Sequence, residues 1–134
     1  MSLSDDPAGH ACSALAFGRY GTPFIQRNVA IKEARSTGES LAISCVTLFE
    51  AAQVVSRGRA QLTDSLEVFL HEVERRFVVR PISAAIASAT TQFDDRYPKD
   101  PMDRIIGATA LVEGMTLVTA DDRIRRVGAV KTLW

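Results

Sequence analysis

Short apolar runs alternate with helical segments over most of this 134-residue chain, and this alternation constrains the fold more than any other feature. Residues 41–46, 77–80, 116–119 and 130–133 each have the length and the apolar or β-branched content of a strand. Segments with apolar residues at helical spacing separate these runs. Strands that alternate with helices predict an α/β fold with a mostly parallel central sheet flanked by helices.

The helical segments have recognisable start and stop signals. Thr47 is placed to cap a helix that follows the first of these strands and ends at Gly58, and Ser83 is placed to cap a helix that reaches about Phe93. Residues 28–35, 63–76, 103–113 and 122–127 supply the remaining helical patterns. Asp122 is expected to cap the last of these helices, with Arg123 as its first residue.

The first 27 residues lack this regularity. They contain three of the eight glycines and two of the five prolines, and they show neither strand alternation nor helical spacing. Residues 11–17 are mildly apolar and favour at most a short helix. We therefore expect a weakly structured segment here, with the first strand of the sheet missing or disordered.

Composition narrows the class of protein without indicating a function. A hydrophobic content of 46% and a charged content of 24% are typical of one ordinary globular domain. No apolar run approaches the roughly 20 residues that span a bilayer, and the start of the chain lacks a secretory pattern. The only cysteines are Cys12 and Cys45, so we expect a cytoplasmic protein without a disulfide framework. Sixteen acidic residues balance sixteen basic ones, so net charge indicates no nucleic-acid partner.

Three acidic residues lie where active groups collect in such a fold, at the carboxyl ends of the strands. Glu50 lies one turn into the helix after the strand 41–46, Asp121 directly follows the strand 116–119, and Asp103 opens the helix that leads into that same strand. Carboxylate ligands of this kind suit Mg²⁺ or Mn²⁺. The pattern predicts a metal site that activates water for phosphodiester cleavage.

Each acid also has a purely structural interpretation. Asp100, before Pro101, is better explained as a turn or cap residue than as a ligand. Asp103 would favour the helix dipole whatever its function. If Asp122 is the cap of the last helix, Asp121 is left as the better ligand candidate. Glu50 is harder to explain structurally, because core-type residues surround it.

At this point the sequence resembles a known family, the PIN-domain ribonucleases of the VapC toxin type. Residues 44–50 (SCVTLFE) resemble the family's strand-then-Glu motif, and residues 100–106 (DPMDRII) resemble its helix start. Residues 114–121 (GMTLVTAD) resemble its final strand and acid, and the closing Leu133-Trp134 resembles the usual ending. These motifs occur in the family's order and spacing, and the match runs from about residue 28 to residue 134.

The resemblance implies a PIN-like fold and a Mg²⁺-dependent endoribonuclease, with Mn²⁺ as a substitute, from a type II toxin–antitoxin module. The implied partners are an RNA substrate, a cognate antitoxin protein that blocks the site and a second copy of the chain, with no membrane. Glu50, Asp103 and Asp121 match the family's acidic site, as both catalytic and metal-binding residues.

Local charge suggests where RNA would bind. Lys99 and Arg104 flank the proposed acids and Arg123 follows Asp121, so these cations are candidates for holding phosphates, with a solvated surface as the alternative. Two other functions stay open. One is a non-catalytic PIN-like module that pairs with an antitoxin or with itself, and the other is a phosphatase or DNA nuclease using the same acids.

The chain departs from the family's pattern at its start. Such proteins begin with a strand that ends in an Asp, commonly LLDTHVLLW, and no such string occurs here. Back-translation of residues 5–18 with degenerate codons, shifted one base downstream, permits MTLLDTHVLLWLSD, which contains that motif. We interpret residues 1–27 as a divergent, out-of-frame segment, and residues 28–134 as the PIN-like domain.

In this interpretation the first metal-binding Asp belongs where Gly9 and His10 now stand. The chain as written would then lack one acid of the site, and we expect weak metal binding and weak or absent nuclease activity. The alternative is that Asp5 or Asp6 takes its place, although Pro7 between them and the next residues disfavours a strand there.

Overall fold

A parallel sheet organises the computed structural model, which describes residues 12–16, 40–58, 62–119 and 121–133. Within these ranges the strands are β1 (Cys12–Ala16), β2 (Ser40–Ser44), β3 (Val78–Arg80), β4 (Thr116–Val118) and β5 (Thr132–Leu133). They are arranged in the order β3-β2-β1-β4-β5, and every neighbouring pair is parallel. The predicted α/β class with a mostly parallel sheet is confirmed.

Helices connect the strands, as a parallel sheet requires. They are α1 (Cys45–Ser56), α2 (Leu66–Arg76), α3 (Ala84–Ala89), α4 (Pro101–Val112) and α5 (Asp122–Val127), with a 3₁₀ turn at Thr90–Gln92 after α3. The predicted helix at residues 28–35 lies outside the described residues. In the part of the chain that the structure describes, no helix has the length and apolar character needed to cross a membrane.

The expectation that the first strand is missing, with at most a short helix at residues 11–17, is wrong. Residues Cys12–Ala16 form β1, which lies at the centre of the sheet and pairs with β2 on one side and β4 on the other. Ala14, for example, is in register with both Leu41 and Thr116. A strand with neighbours on both sides is stabilised by pairing that local sequence does not reveal, and this tertiary context overrides a weak local preference.

The boundary between β2 and α1 also differs from the sequence interpretation. The strand ends at Ser44, whose side chain accepts a hydrogen bond from the Val46 N–H and caps α1, so the cap is Ser44 and not Thr47. Cys45 is therefore the first residue of the helix and not a strand residue. The Thr47 hydroxyl is buried without a hydrogen-bond partner among the described residues. The effect is to start α1 immediately at the carboxyl end of β2.

The core lies between the sheet and the helices; α4 supplies two of its buried residues, and β2, α1 and β4 supply one each. It also draws side chains from the loop before α4 and from the last helix. The buried residues of this cluster are Ala42, Val46, Tyr97, Ile106, Ala110, Met115, Leu117, Ile124 and Val130. Because α4 supplies Ile106 and Ala110 to this cluster, the first turn of α4 is held in a fixed position against the sheet.

Candidate active site

The order of the strands changes direction at one point in the sheet. From β1 the chain winds to β2 and β3 on one side, and β4 and β5 lie on the other, so the winding reverses between β1 and β4. In open α/β sheets, ligands bind outside the carboxyl ends of the strands at such a reversal. Asp121 follows the carboxyl end of β4, three residues after Val118.

The first turn of α4 holds a buried carboxylate. Asp100 caps this helix, since its Oδ1 accepts from the Met102 N–H at 2.8 Å and from the Asp103 N–H at 3.4 Å, and Pro101 occupies the first helical position. The cap interpretation of Asp100 is confirmed. Asp103 is only 1% exposed. A carboxylate this well buried is rare in proteins unless its charge is compensated, so the position of Asp103 is unusual for a surface-type residue.

Asp121 both caps α5 and forms an ion pair. Its Oδ1 accepts from the backbone N–H of Arg123 at 2.9 Å and from Nε of Arg123 at 3.2 Å, while its Oδ2 lies 2.7 Å from the terminal guanidinium nitrogen of Arg123. The expectation that Asp122 is the cap is therefore wrong. Thr119 accepts the Asp121 N–H and fixes the turn one residue earlier than the pattern suggested, so Asp122 is already helical.

The acids of this region share an electrostatic environment. The Arg123 guanidinium holds the pKa of Asp121 below its usual value, through side-chain hydrogen bonds first and against the opposing effect of burial. The pKa of Arg123 is raised in turn, chiefly by Asp121, with contributions from the charges of Asp103 and Asp100. Burial raises the pKa of Tyr97 strongly, and the charges of Asp103 and Asp121 add to this effect. Asp103 and Asp121 thus act on the same neighbouring groups, Tyr97 and Arg123.

In the described part of the chain the three predicted acids do not form one metal-binding cluster. Glu50 is half-buried in α1, and within the described ranges no three His, Cys, Asp or Glu side chains could together hold a metal ion. Proteins usually hold Mg²⁺ through one or two carboxylates, with water and substrate phosphate completing the coordination. Carboxylate oxygens, such as those of Asp103 and Asp121, are donors of the kind that Mg²⁺ or Mn²⁺ prefers. The slot assigned to the first acid, at residues 9–10, lies outside the described residues.

The predicted phosphate-binding cations lie in different settings. Lys99 is exposed in the loop before α4, and Arg123 is exposed beside Asp121. Arg104 is different, because its guanidinium donates only to backbone oxygens of the preceding segment. Its acceptors are the carbonyls of Thr90, Phe93, Asp94, Tyr97 and Pro98. Substrate binding by these three residues stays a prediction.

Sequence reasoning missed Tyr97, which is central to this region. Its ring is buried and stacks on Phe93 with centroids 4.0 Å apart, and its hydroxyl donates to the backbone carbonyl of Asp103 at 3.2 Å. Gly107 faces the same hydroxyl so closely that a Cβ at this position would overlap it. The available signals were an aromatic residue inside a polar, proline-containing loop and a glycine inside a helical pattern.

Fold and site together define an α/β domain with acidic residues at the carboxyl edge of its parallel sheet. The PIN-domain family model matches residues 24–130. The chain is also 30% identical over 98 residues to Ribonuclease VapC22 of Mycobacterium tuberculosis, an alignment that covers 73% of this chain and 75% of that relative. The chain belongs to the PIN-domain family.

Solved structures with the same fold are toxin–antitoxin complexes. VapBC2 from Rickettsia felis, bound to a promoter DNA fragment, has a TM-score of 0.68 at 17% identity, covering 90% of this chain and 98% of that one. A toxin–antitoxin complex from Klebsiella pneumoniae has a TM-score of 0.67 at 20% identity, covering 91% and 97%. At these identities the likeness supports the fold.

Proposed function

We propose that this protein is a Mg²⁺-dependent endoribonuclease, the toxin of a VapC-type toxin–antitoxin module. The observation that carries the proposal is that a buried carboxylate, Asp103, and Asp121 act on the same side chain, Tyr97, next to the point where the winding of the sheet reverses. The similarity to a protein named Ribonuclease VapC22 supports the choice of RNA as substrate.

Each residue then has a defined task. Asp103 and Asp121 would hold Mg²⁺, or Mn²⁺ in its place, and Glu50 would join them through the metal's water or the substrate. When bound, the metal supplies an activated water and neutralises charge on the phosphodiester group. Arg123 and Lys99 are the cations from which a substrate phosphate would receive charge-assisted hydrogen bonds. Because the Asp103 carboxylate is already buried in the structure, substrate binding does not have to remove water from it.

The proposed partners follow from the same assignment. An antitoxin would cover the edge of the sheet that carries Asp103 and Asp121, since the fold is shared with chains solved as toxin–antitoxin complexes. A homodimer is proposed as well, because large apolar side chains are exposed on several described elements, including Phe49 of α1 and Leu111 of α4. A toxin that acts on RNA with an antitoxin of this kind would work in the cytoplasm.

We further propose that the chain as written cleaves RNA weakly. The described residues supply a pair of carboxylates near Arg123 and no group of three, and the shifted reading of residues 5–18 would add the missing acid. A site with one carboxylate fewer binds Mg²⁺ less tightly, because each carboxylate contributes charge to the coordination.

The test is Mg²⁺-dependent cleavage of labelled RNA oligonucleotides, with the Asp103→Asn variant beside the unmodified chain. We expect cleavage that requires Mg²⁺ and falls by at least about 100-fold in the variant, because the amide cannot supply the anionic ligand. Glu67→Gln is the matched control, since it makes the same change on a side chain that is 86% exposed on α2. Mn²⁺ binding is measured on the same samples, so that the metal site is scored even where cleavage is slow.

The competing functions give different results in this assay. A non-catalytic module would cleave nothing, and its pairing with an antitoxin or with itself would be indifferent to Asp103→Asn. A DNA nuclease would cleave DNA oligonucleotides of the same sequence faster than RNA. Absence of Mn²⁺ binding together with absence of cleavage would contradict the proposed function.

A further inference from the structure

Every donor of the Arg104 guanidinium is engaged by the main chain of one segment. An arginine side chain has five N–H groups, and Arg104 donates to five backbone carbonyls at 3.0–3.4 Å. These carbonyls belong to residues 90–98, which run from the end of α3 through the 3₁₀ turn to the loop before α4. Such an arginine has no N–H left for a substrate phosphate.

The segment held by Arg104 returns to the helix that carries Arg104. Arg104 bonds the carbonyl of Tyr97, and the Tyr97 hydroxyl donates to the carbonyl of Asp103, the adjacent residue of α4. The Tyr97 ring also lies against Gly107, one turn further along α4. The contacts therefore form a closed loop: α4 fixes the segment through Arg104, and the segment fixes the first turns of α4 through Tyr97.

We infer that Arg104 is a positioning residue for Asp103: it holds the segment 90–98 so that Tyr97 locks the turn of α4 that presents the Asp103 carboxylate. This inference rests on the proposed function and deepens it, because it assigns Arg104 to positioning Asp103 and not to binding the substrate. Asp103 is buried, so its carboxylate direction depends on the backbone of this turn and not on free side-chain rotation. Groups that orient a metal ligand affect metal affinity without touching the metal.

The main test compares Arg104→Lys with the unmodified chain. Lysine keeps the positive charge, but its single ammonium cannot reach five carbonyls. We expect faster amide hydrogen exchange over residues 93–103, including Met102 and Asp103, and a Mn²⁺ dissociation constant about tenfold higher. Arg75→Lys is the matched control, because Arg75 is exposed on α2 and pairs there with Glu72, so it should move neither quantity.

Tyr97→Phe provides a second variant, which keeps the buried ring and removes only the hydrogen bond to Asp103. If Arg104 acts through Tyr97, this variant raises the Mn²⁺ dissociation constant in the same direction, and the double variant is no worse than Arg104→Lys alone. Independent, additive losses would overturn the route through Tyr97.

The remaining outcomes also decide the inference. Unchanged exchange over residues 93–103 in Arg104→Lys would show that Arg104 does not hold this segment in place. Faster exchange with unchanged Mn²⁺ affinity would show that Arg104 holds the segment but does not position Asp103. If the unmodified chain neither binds Mn²⁺ nor cleaves RNA, the proposed function fails, and exchange at Met102 and Asp103 alone then decides whether Arg104 fixes this turn.

Discussion

Asp121, a proposed metal ligand, already makes two structural contacts. Its carboxylate caps α5 through the backbone N–H of Arg123 and pairs with the Arg123 guanidinium. A negative charge at this helix end is also favoured by the helix dipole. A metal ion at Asp121 would therefore compete with Arg123 for the same two oxygens, and release of Arg123 would free a cation for the substrate.

The ion pair of Asp121 with Arg123 predicts in which direction the stability of the protein changes with pH. The folded pKa of Asp121 lies below its usual value of 3.8, so the pair's contribution to stability is complete above pH 3.8 and is lost as pH falls through the folded pKa. Arg123→Gln should lower the free energy of unfolding at pH 7 by less than about 1 kcal/mol, because Arg123 is 58% exposed. Urea unfolding of both proteins should show this difference at pH 7, and the difference should shrink as the pH is lowered below 3.8 and Asp121 becomes protonated in the folded protein.

The control for this comparison is Lys131→Gln, which removes an exposed positive charge away from α5. It should show no such change in its stability difference between the two pH values. An Arg123→Gln difference that stays the same at acid and neutral pH would mean that the ion pair with Asp121 is not its source.

Gly107 is required by packing and not by backbone conformation. Its Cα faces the Tyr97 hydroxyl, and an added Cβ would also lie 2.8 Å from Tyr97 Cζ and 3.2 Å from the Phe93 ring. Gly107→Ala should therefore destabilise the protein by about 1–3 kcal/mol, since the buried ring must move. Helix propensity alone predicts the opposite sign, a gain of about 1 kcal/mol. Thermal or urea unfolding decides between them, and a stabilised variant would refute the close contact.

At the scale of elements, a buried ion pair joins the end of β3 to the end of α4. Nε and a terminal nitrogen of Arg80 donate to the two carboxylate oxygens of Glu113 at 2.6 and 2.9 Å, and the two side chains are only 13% and 6% exposed. This pair links an edge strand of the described sheet to the helix that opens with Asp103. It therefore ties the C-terminal end of α4, opposite the turn that carries Asp103, to the sheet.

Removing one partner of this pair leaves the other charge buried. Glu113→Gln should lower the free energy of unfolding by about 3–5 kcal/mol, measured by urea denaturation at pH 7. Glu72→Gln provides the comparison, because Glu72 pairs with Arg75 on the surface of α2 and should cost less than about 1 kcal/mol. Equal losses in the two variants would show that the Arg80–Glu113 pair is not effectively buried.

Strands and helices with clear sequence signals of their own were predictable, whereas β1, which depends on the strands beside it, was not. The apolar run of β2 and the Ser83 cap of α3 both appear in the structure as the pattern indicated. β1 is only five residues long and carries no capping or turn signal, yet it occupies the sheet's centre, because its hydrogen bonds come from strands distant in sequence. The cap of α1 moved to Ser44 for a related reason: strand and helix adjoin without a linker.

At the scale of the whole molecule, the sequence placed the acids on the correct elements but not their mutual contacts. Strand–helix alternation located Asp103 and Asp121 at the edge where ligands bind. The hydrogen bonds of Arg104 and Tyr97 depend on how the loop before α4 folds back on that helix. The spacing of residues along the sequence does not predict this contact. The proximity of Arg104 to the acids along the chain suggested that it binds phosphate. In the folded chain its guanidinium N–H groups instead donate to backbone carbonyls.

The N-terminal segment supplies the decisive test for the molecule as a whole. Replacing residues 5–18 with MTLLDTHVLLWLSD should supply a strand that ends in an Asp and takes the central position now held by Cys12–Ala16, which places the acid that the proposed site lacks at the carboxyl edge of the sheet. We expect Mg²⁺-dependent RNA cleavage to rise by about 10–100-fold over the chain as written, with tighter Mn²⁺ binding. The same peptide with its single internal Asp changed to Asn is the matched control, which should restore the strand without restoring cleavage. Equal activity of the two replacements would show that the added carboxylate is not a ligand, and no gain from either would contradict the out-of-frame interpretation.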